Sequence, residues 1–109
     1  MTSPPFSAQQ FVDVLRDLAA QVQEAGEIVP KMRNRLEAYA VELATRRVME
    51  PGGANLARDV LAELRRHIEE QDTIAARTPA LAQQPGWDAR MMFLRDAVEA
   101  IEARRIKRL

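Results

Sequence analysis

The segment from Trp87 to Ile101 constrains the fold of this chain more than any other. Its apolar residues recur at alternating spacings of four and three, which is the period of an α-helix with one buried face. Phe93 and Ala97 widen that face. A stripe this wide is too apolar to leave in water. We therefore expect the helix to pack in the core and also to contact another protein. The predicted interface residues are Trp87, Met91, Phe93, Leu94, Val98 and Ile101.

Proline and glycine residues divide the remaining sequence into three further helical segments, and no stretch alternates with the two-residue period of a strand. The predicted helices cover about 7–26, 30–50, 55–77 and 88–107, and residues 1–6 form a short N-terminal extension. Each segment has a polar face, so the apolar faces can only be buried against one another. The sequence thus predicts an all-α domain over residues 7–109, an antiparallel bundle of three to four helices that forms an oligomer. Pro30 leaves open whether residues 7–50 form two helices or one kinked helix.

Several residues predict where helices begin and end. Ser7 and Gln10 have the spacing of a capping box, in which each side chain bonds the other residue's backbone N–H. Gly26 is suited to end the first helix because glycine readily adopts the left-handed conformation of a C-cap. Asn55 and Asp88 are predicted to cap the third and fourth helices.

Size and charge limit the classes of function. The chain has 109 residues, enough for one domain. Sixteen basic residues balance sixteen acidic ones, so no net charge steers the protein towards nucleic acid or a membrane surface. Neutrality also gives little protection against self-association. The absence of cysteine excludes disulfides and thiol chemistry. No apolar run is long enough to span a bilayer or to form a secretion signal, so we expect a cytoplasmic protein without membrane contacts.

His67 is the single histidine and therefore the first residue to consider for chemistry. It falls within the apolar stripe of its helix, with Gln71 one turn further on. A phosphorelay role would need an exposed imidazole, and the residues after His67 lack the lysine–glycine step of histidine phosphotransfer domains. The alternatives are a histidine that faces a partner and a buried polar pair, His67 with Gln71, that fixes the helix register. We favour the buried pair.

Other catalytic and metal sites have little support. A di-iron bundle needs two histidines and several carboxylates, and the chain has one histidine. Carboxylate pairs at helical spacing arise by chance in a helical chain with sixteen acidic residues. Neither of the two serines has a base near it in the sequence. Gly52 and Gly53 lack the lysine and hydroxyl residue of a phosphate-binding loop. We expect neither an enzyme nor a bound cofactor or metal.

Basic residues cluster at the C-terminus. The cluster consists of Arg104, Arg105, Lys107 and Arg108. Cations at a helix C-terminus are favourable because they interact with the helix dipole, which is the simpler explanation. The alternative is a site for nucleic-acid phosphates, which Arg90 and Arg95 would extend, although the cluster lacks interleaved aromatic residues for base stacking.

The sequence therefore favours a non-enzymatic oligomeric adaptor or scaffold. Its partners would be a second copy of the chain and another protein, both contacted by the last helix. The alternative is a small nucleic-acid-associated protein that uses the C-terminal arginines.

Overall fold

Residues 7–49 and 51–106 are described by a computed structural model, in which short connections join helices and no strand occurs. The helices are α1 (Ala8–Ala25), α2 (Pro30–Met49), α3 (Gly53–Arg77), α4 (Pro79–Ala82) and α5 (Trp87–Ile106). The all-helical prediction is confirmed. The short α4 lies where a linker was expected, so the described residues contain five helices rather than three to four. The predicted extension, residues 1–6, lies outside the described residues.

The ends of α1 follow the sequence signals. The Ser7 hydroxyl accepts a hydrogen bond from the backbone N–H of Gln10, and the Ser7 N–H donates to the Gln10 side chain at 2.8 Å. Gly26 adopts the left-handed conformation, with φ 81°, and its N–H donates to the carbonyls of Val22 and Gln23. The chain therefore stops being helical before Pro30, so α1 and α2 are two helices and not one kinked helix.

The predicted caps of α3 and α5 are wrong, and for α3 close packing against α2 fixes where the helix begins. Helix α3 begins at Gly53, two residues before Asn55. A Cβ atom at Gly53 would lie 2.0 Å from the carbonyl oxygen of Arg46, so α2 and α3 approach each other too closely there for any side chain. Helix α5 already includes Trp87, and Asp88 lies in its first turn. The Asp88 carboxylate is still favourable in this first turn, because it lies near the positive end of the helix dipole.

Two ion pairs show that α3 and α5 run in opposite directions. Arg65, at the middle of α3, pairs with Glu102 near the end of α5. Asp72, further along α3, pairs with Arg95 nearer the start of α5, at 2.9 Å. The order of the partners is therefore reversed between the two helices.

Helices α2 and α5 run in the same direction. Arg33 pairs with Asp96 at 3.5 Å, and Glu37, one turn later in α2, pairs with Arg104, later in α5. Helix α5 lies at the centre, since it packs against α1, α2, α3 and the short α4. Helices α1 and α2 are consecutive in the chain but contact each other little.

Every long helix contributes to one apolar core. Its largest fully buried side chains are Phe11, Phe93, Leu15, Leu36, Leu43, Leu61, Leu64, Leu94, Val22 and Val60. Leu81 and Ala82 of α4 are half-buried against this core and cover one end of it. None of the helices in the described part of the chain combines the length and hydropathy that a membrane span requires.

Candidate partner-binding surface

The predicted interface residues of the last helix lie inside the single chain. All six, Trp87, Met91, Phe93, Leu94, Val98 and Ile101, are buried in the core that α5 forms with its neighbours. The wide stripe needs no second subunit to cover it, because three long helices of the same chain already do. A role for α5 in binding stays a prediction, and in this fold it must use mainly other side chains of the helix, with Val98 the one member of the six that lines a surface groove in the described part of the chain.

The outer side of α5 carries an exposed methionine. Met92 is 56% exposed, whereas Met91 and Phe93 beside it are buried. Arg95 and Glu99 follow Met92 at intervals of three and four residues, so all three lie on one side of the helix. The interaction surface that the structure leaves available on α5 therefore centres on Met92.

A groove of about 350 Å³ lies beside this outer side, between α3 and α5. Ile68, half-buried, and Val98 supply its apolar surface. Charged side chains of both signs, Arg65, Glu69, Arg95 and Glu99, complete its lining. The surface that the groove exposes is mostly apolar. Together, the groove and Met92 form the outer α3–α5 surface.

His67 is buried, with 6% of its surface exposed, and Gln71 is half-buried one turn further along α3. The His67 Nε2 atom has no hydrogen-bond partner among the described residues. Burial lowers the pKa of His67, and the positive charges of Arg16 and Arg90 lower it further, against a smaller opposing effect of Glu70. No hydrogen bond joins the imidazole to the Gln71 side chain within the described part, so their role as a register pair stays a prediction.

From the sequence, Arg90 was predicted only as an extension of the C-terminal basic cluster, and no pattern places Arg16 or Arg90 near His67. Arg16 follows the helical pattern of an ordinary exposed residue of α1, and Arg90 lies within the apolar segment of α5. In the structure, the Arg90 guanidinium lies 5.3 Å from the centre of the Trp87 ring. The sequence offers one signal for this contact, the spacing of three residues between Trp87 and Arg90 on a helix.

The C-terminal basic cluster is described only in part. The Arg104 side chain is paired with Glu37 of α2. Arg105 belongs to α5, but its side chain lies outside the described part, as do Lys107 and Arg108. Arg104 is thus used within the fold, and contact of the cluster with nucleic acid stays a prediction.

The described residues bring together no group of three or more histidine, aspartate or glutamate side chains that could hold a metal ion. Comparisons with protein-family models, with curated proteins and with solved structures found no match to this chain. The contacts within the fold are therefore the basis of any functional proposal.

Proposed function

We propose that this protein is a non-enzymatic adaptor or scaffold that self-associates through the outer α3–α5 surface. The observation that carries the proposal is the apolar groove between α3 and α5, with the exposed Met92 beside it. Methionine is favoured at protein interfaces because its flexible side chain adapts to the partner surface. The helix is the one to which the sequence assigned the contact, but of the predicted interface residues only Val98 lines the groove.

Charge favours a second copy of the chain as the partner. Arg65 and Arg95 lie on the groove beside Glu69 and Glu99, so the groove presents both signs and has no net charge. A surface of this kind suits another surface of mixed charge rather than a strongly acidic or basic partner. The chain as a whole is also neutral, with sixteen charges of each sign, so two copies do not repel each other over long distances.

The size of the surface sets the expected strength of association. A stable interface buries about 800 Å² on each partner. The groove of about 350 Å³ and one exposed methionine are a small part of such an interface. We therefore expect a weak complex, with a dissociation constant on the order of micromolar or higher, that dissociates when the protein is diluted.

Light scattering coupled to size-exclusion chromatography tests this proposal. The mass of the wild-type protein should exceed that of one chain at high concentration and fall over a tenfold dilution. Met92→Asp should reduce the mass to that of one chain at every concentration, since a carboxylate would have to be desolvated at the contact. Its helical content should not change, because Met92 is exposed.

Val41→Asp is the matched control. Val41 is also an exposed aliphatic residue, at 47%, but it lies on α2, which does not line the groove. This variant should associate like the wild type. A wild-type protein that stays a single chain at all concentrations would contradict self-association. If Met92→Asp and Val41→Asp had the same mass as each other at every concentration, the contact would not lie on the outer α3–α5 surface.

A further inference from the structure

Three helices bring basic side chains together on the side of the bundle where α1, α3 and α5 meet. Arg16 of α1 and His67 of α3 line one open cleft of about 560 Å³. Arg90 of α5 does not line the cleft, but it lies close enough to His67 to influence its charge, and its Nε atom is buried without a hydrogen-bond partner among the described residues. Stacking on Trp87 helps to hold the Arg90 guanidinium in place.

The positive charges of Arg16 and Arg90 are not neutralised by direct ion pairs within the described residues. Neither Arg16 nor Arg90 forms an ion pair there, whereas Arg95 and Arg104, elsewhere on α5, do. Burial lowers the pKa of Arg90, and the charge of Arg16 lowers it further. Arg16 therefore disfavours a positive charge on both His67 and Arg90. An anion placed between these groups would remove the repulsion and pair with both guanidinium groups.

Acidic and basic residues on the outer side of α3 also line this cleft. Glu69 and Glu70 contribute carboxylates, and the effect of Glu70 on His67 is smaller than that of either Arg16 or Arg90. Arg66 lines the cleft as well, but it is already paired with Glu63. The part of the cleft near Arg16 and His67 is thus its electropositive part.

We propose that Arg16, His67 and Arg90 form a binding site for a small tetrahedral oxyanion, namely a phosphate group. Guanidinium groups match phosphate oxygens with two parallel N–H donors. A neutral imidazole with its proton on Nε2 has one more hydrogen bond to donate, because this buried atom lacks a partner among the described residues. Arg16 is exposed, so its side chain can turn onto the anion, while His67 and Arg90 are positioned by packing.

The single histidine makes the site directly observable by nuclear magnetic resonance. The imidazole resonances of His67 are followed while inorganic phosphate, or glycerol 3-phosphate, replaces chloride at constant ionic strength. We expect a saturable shift, and we expect the bound anion to raise the pKa of His67. Saturation with both ligands would mean that the site accepts a phosphate monoester. Saturation with inorganic phosphate alone would identify the free ion as the ligand.

Two arginine variants distinguish a built site from a general effect of charge. Arg16→Gln should weaken phosphate binding by about tenfold, the effect of losing charge-assisted hydrogen bonds. Arg66→Gln removes an equal charge from the same cleft, but from a side chain already paired with Glu63, and it should bind like the wild type. Both residues are exposed, so circular dichroism should show both variants folded. The site would be disproved by a His67 shift that does not saturate, or by equal weakening in both variants.

Discussion

Helices α2 and α5 lie side by side, yet the apolar stripes that they bury differ in width. The fully buried residues of α2 form a narrow row, Leu36, Ala40 and Leu43. On α5, Phe93 and Ala97 extend the buried stripe to one side of Leu94. The two helices differ in position. Helix α2 packs mainly against α3 and α5, whereas α5 is surrounded by α1, α2 and α3. The width of an apolar stripe therefore reports how many neighbours a helix has, and those neighbours can all belong to the same chain.

The largest loss of stability is expected from a charge placed in the centre of the wide stripe of α5. Leu94 is completely buried, so Leu94→Asp would bury a carboxylate with no partner of opposite charge. The cost of several kcal/mol is comparable with the total stability of a small domain, about 5–15 kcal/mol. We expect this variant to be unfolded by circular dichroism, while Met92→Asp, two residues away, stays folded.

A folded Leu94→Asp protein would contradict this account of α5. If the variant kept its helical content and merely lost a partner copy, Leu94 would belong to an interface between chains, as the sequence suggested. The two variants, Leu94→Asp and Met92→Asp, therefore test the inner and the outer side of α5 separately.

A smaller effect is expected from the protonation of His67, which lies on the α1 side of the bundle, away from α2. Folding lowers the pKa of this imidazole below its ordinary value of 6.5, so the unfolded chain binds the proton more readily. The contribution of neutral His67 to the free energy of unfolding is fully present above pH 6.5, and it is lost as the pH falls through the pKa of His67 in the folded protein. Its loss is at most about 1.4 kcal/mol per pH unit.

Urea unfolding between pH 5 and pH 8, in a buffer without phosphate, measures this dependence. His67→Gln should lose the part of the pH dependence that lies just below about pH 6.5, because glutamine does not titrate. The groups that face His67 remain in both proteins: Arg16 from α1, Glu70 from α3 and Arg90 from α5. Identical pH profiles would show that the pKa of His67 is the same in the folded and unfolded chains.

The smallest effects are expected from the ion pairs that join α5 to its two flanking helices. Asp72→Asn removes the pair with Arg95 across α3 and α5, and Asp96→Asn removes the pair with Arg33 across α2 and α5. Pairs as exposed as these contribute about 0–1 kcal/mol each. Urea unfolding should therefore give nearly the wild-type free energy for both variants. A loss above about 2 kcal/mol, well outside that range, would mean that charges rather than apolar packing hold α5 in place.

Local signals in the sequence predicted the helices better than the arrangement of the helices. Ser7, Gln10 and Gly26 act within one turn of the chain, so their roles could be read from spacing alone. The start of α3 could not, because it depends on the contact of Gly53 with the backbone of α2. Likewise, the wide stripe of α5 was evident, but its coverage by three helices of the same chain depends on the long-range order of the bundle.

The candidate sites show the same limit. The burial of His67 could be predicted from its place in the apolar stripe. Its proximity to Arg16 and Arg90 could not, because these residues are 51 and 23 positions away in the sequence and on different helices. The groove between α3 and α5 also depends on how two helices meet. Its apolar members, Ile68 and Val98, follow ordinary core patterns in their own helices.

The wide stripe of α5 is buried within one chain, and fluorescence quenching of Trp87 tests this burial most directly. Trp87 is the single tryptophan and is 6% exposed in one chain. Quenching by acrylamide, which is neutral, should therefore be weak and should stay the same over a hundredfold dilution, even as copies that associate through the outer α3–α5 surface separate. Quenching that increases as the protein is diluted would mean that a second copy covers Trp87, and would contradict the account.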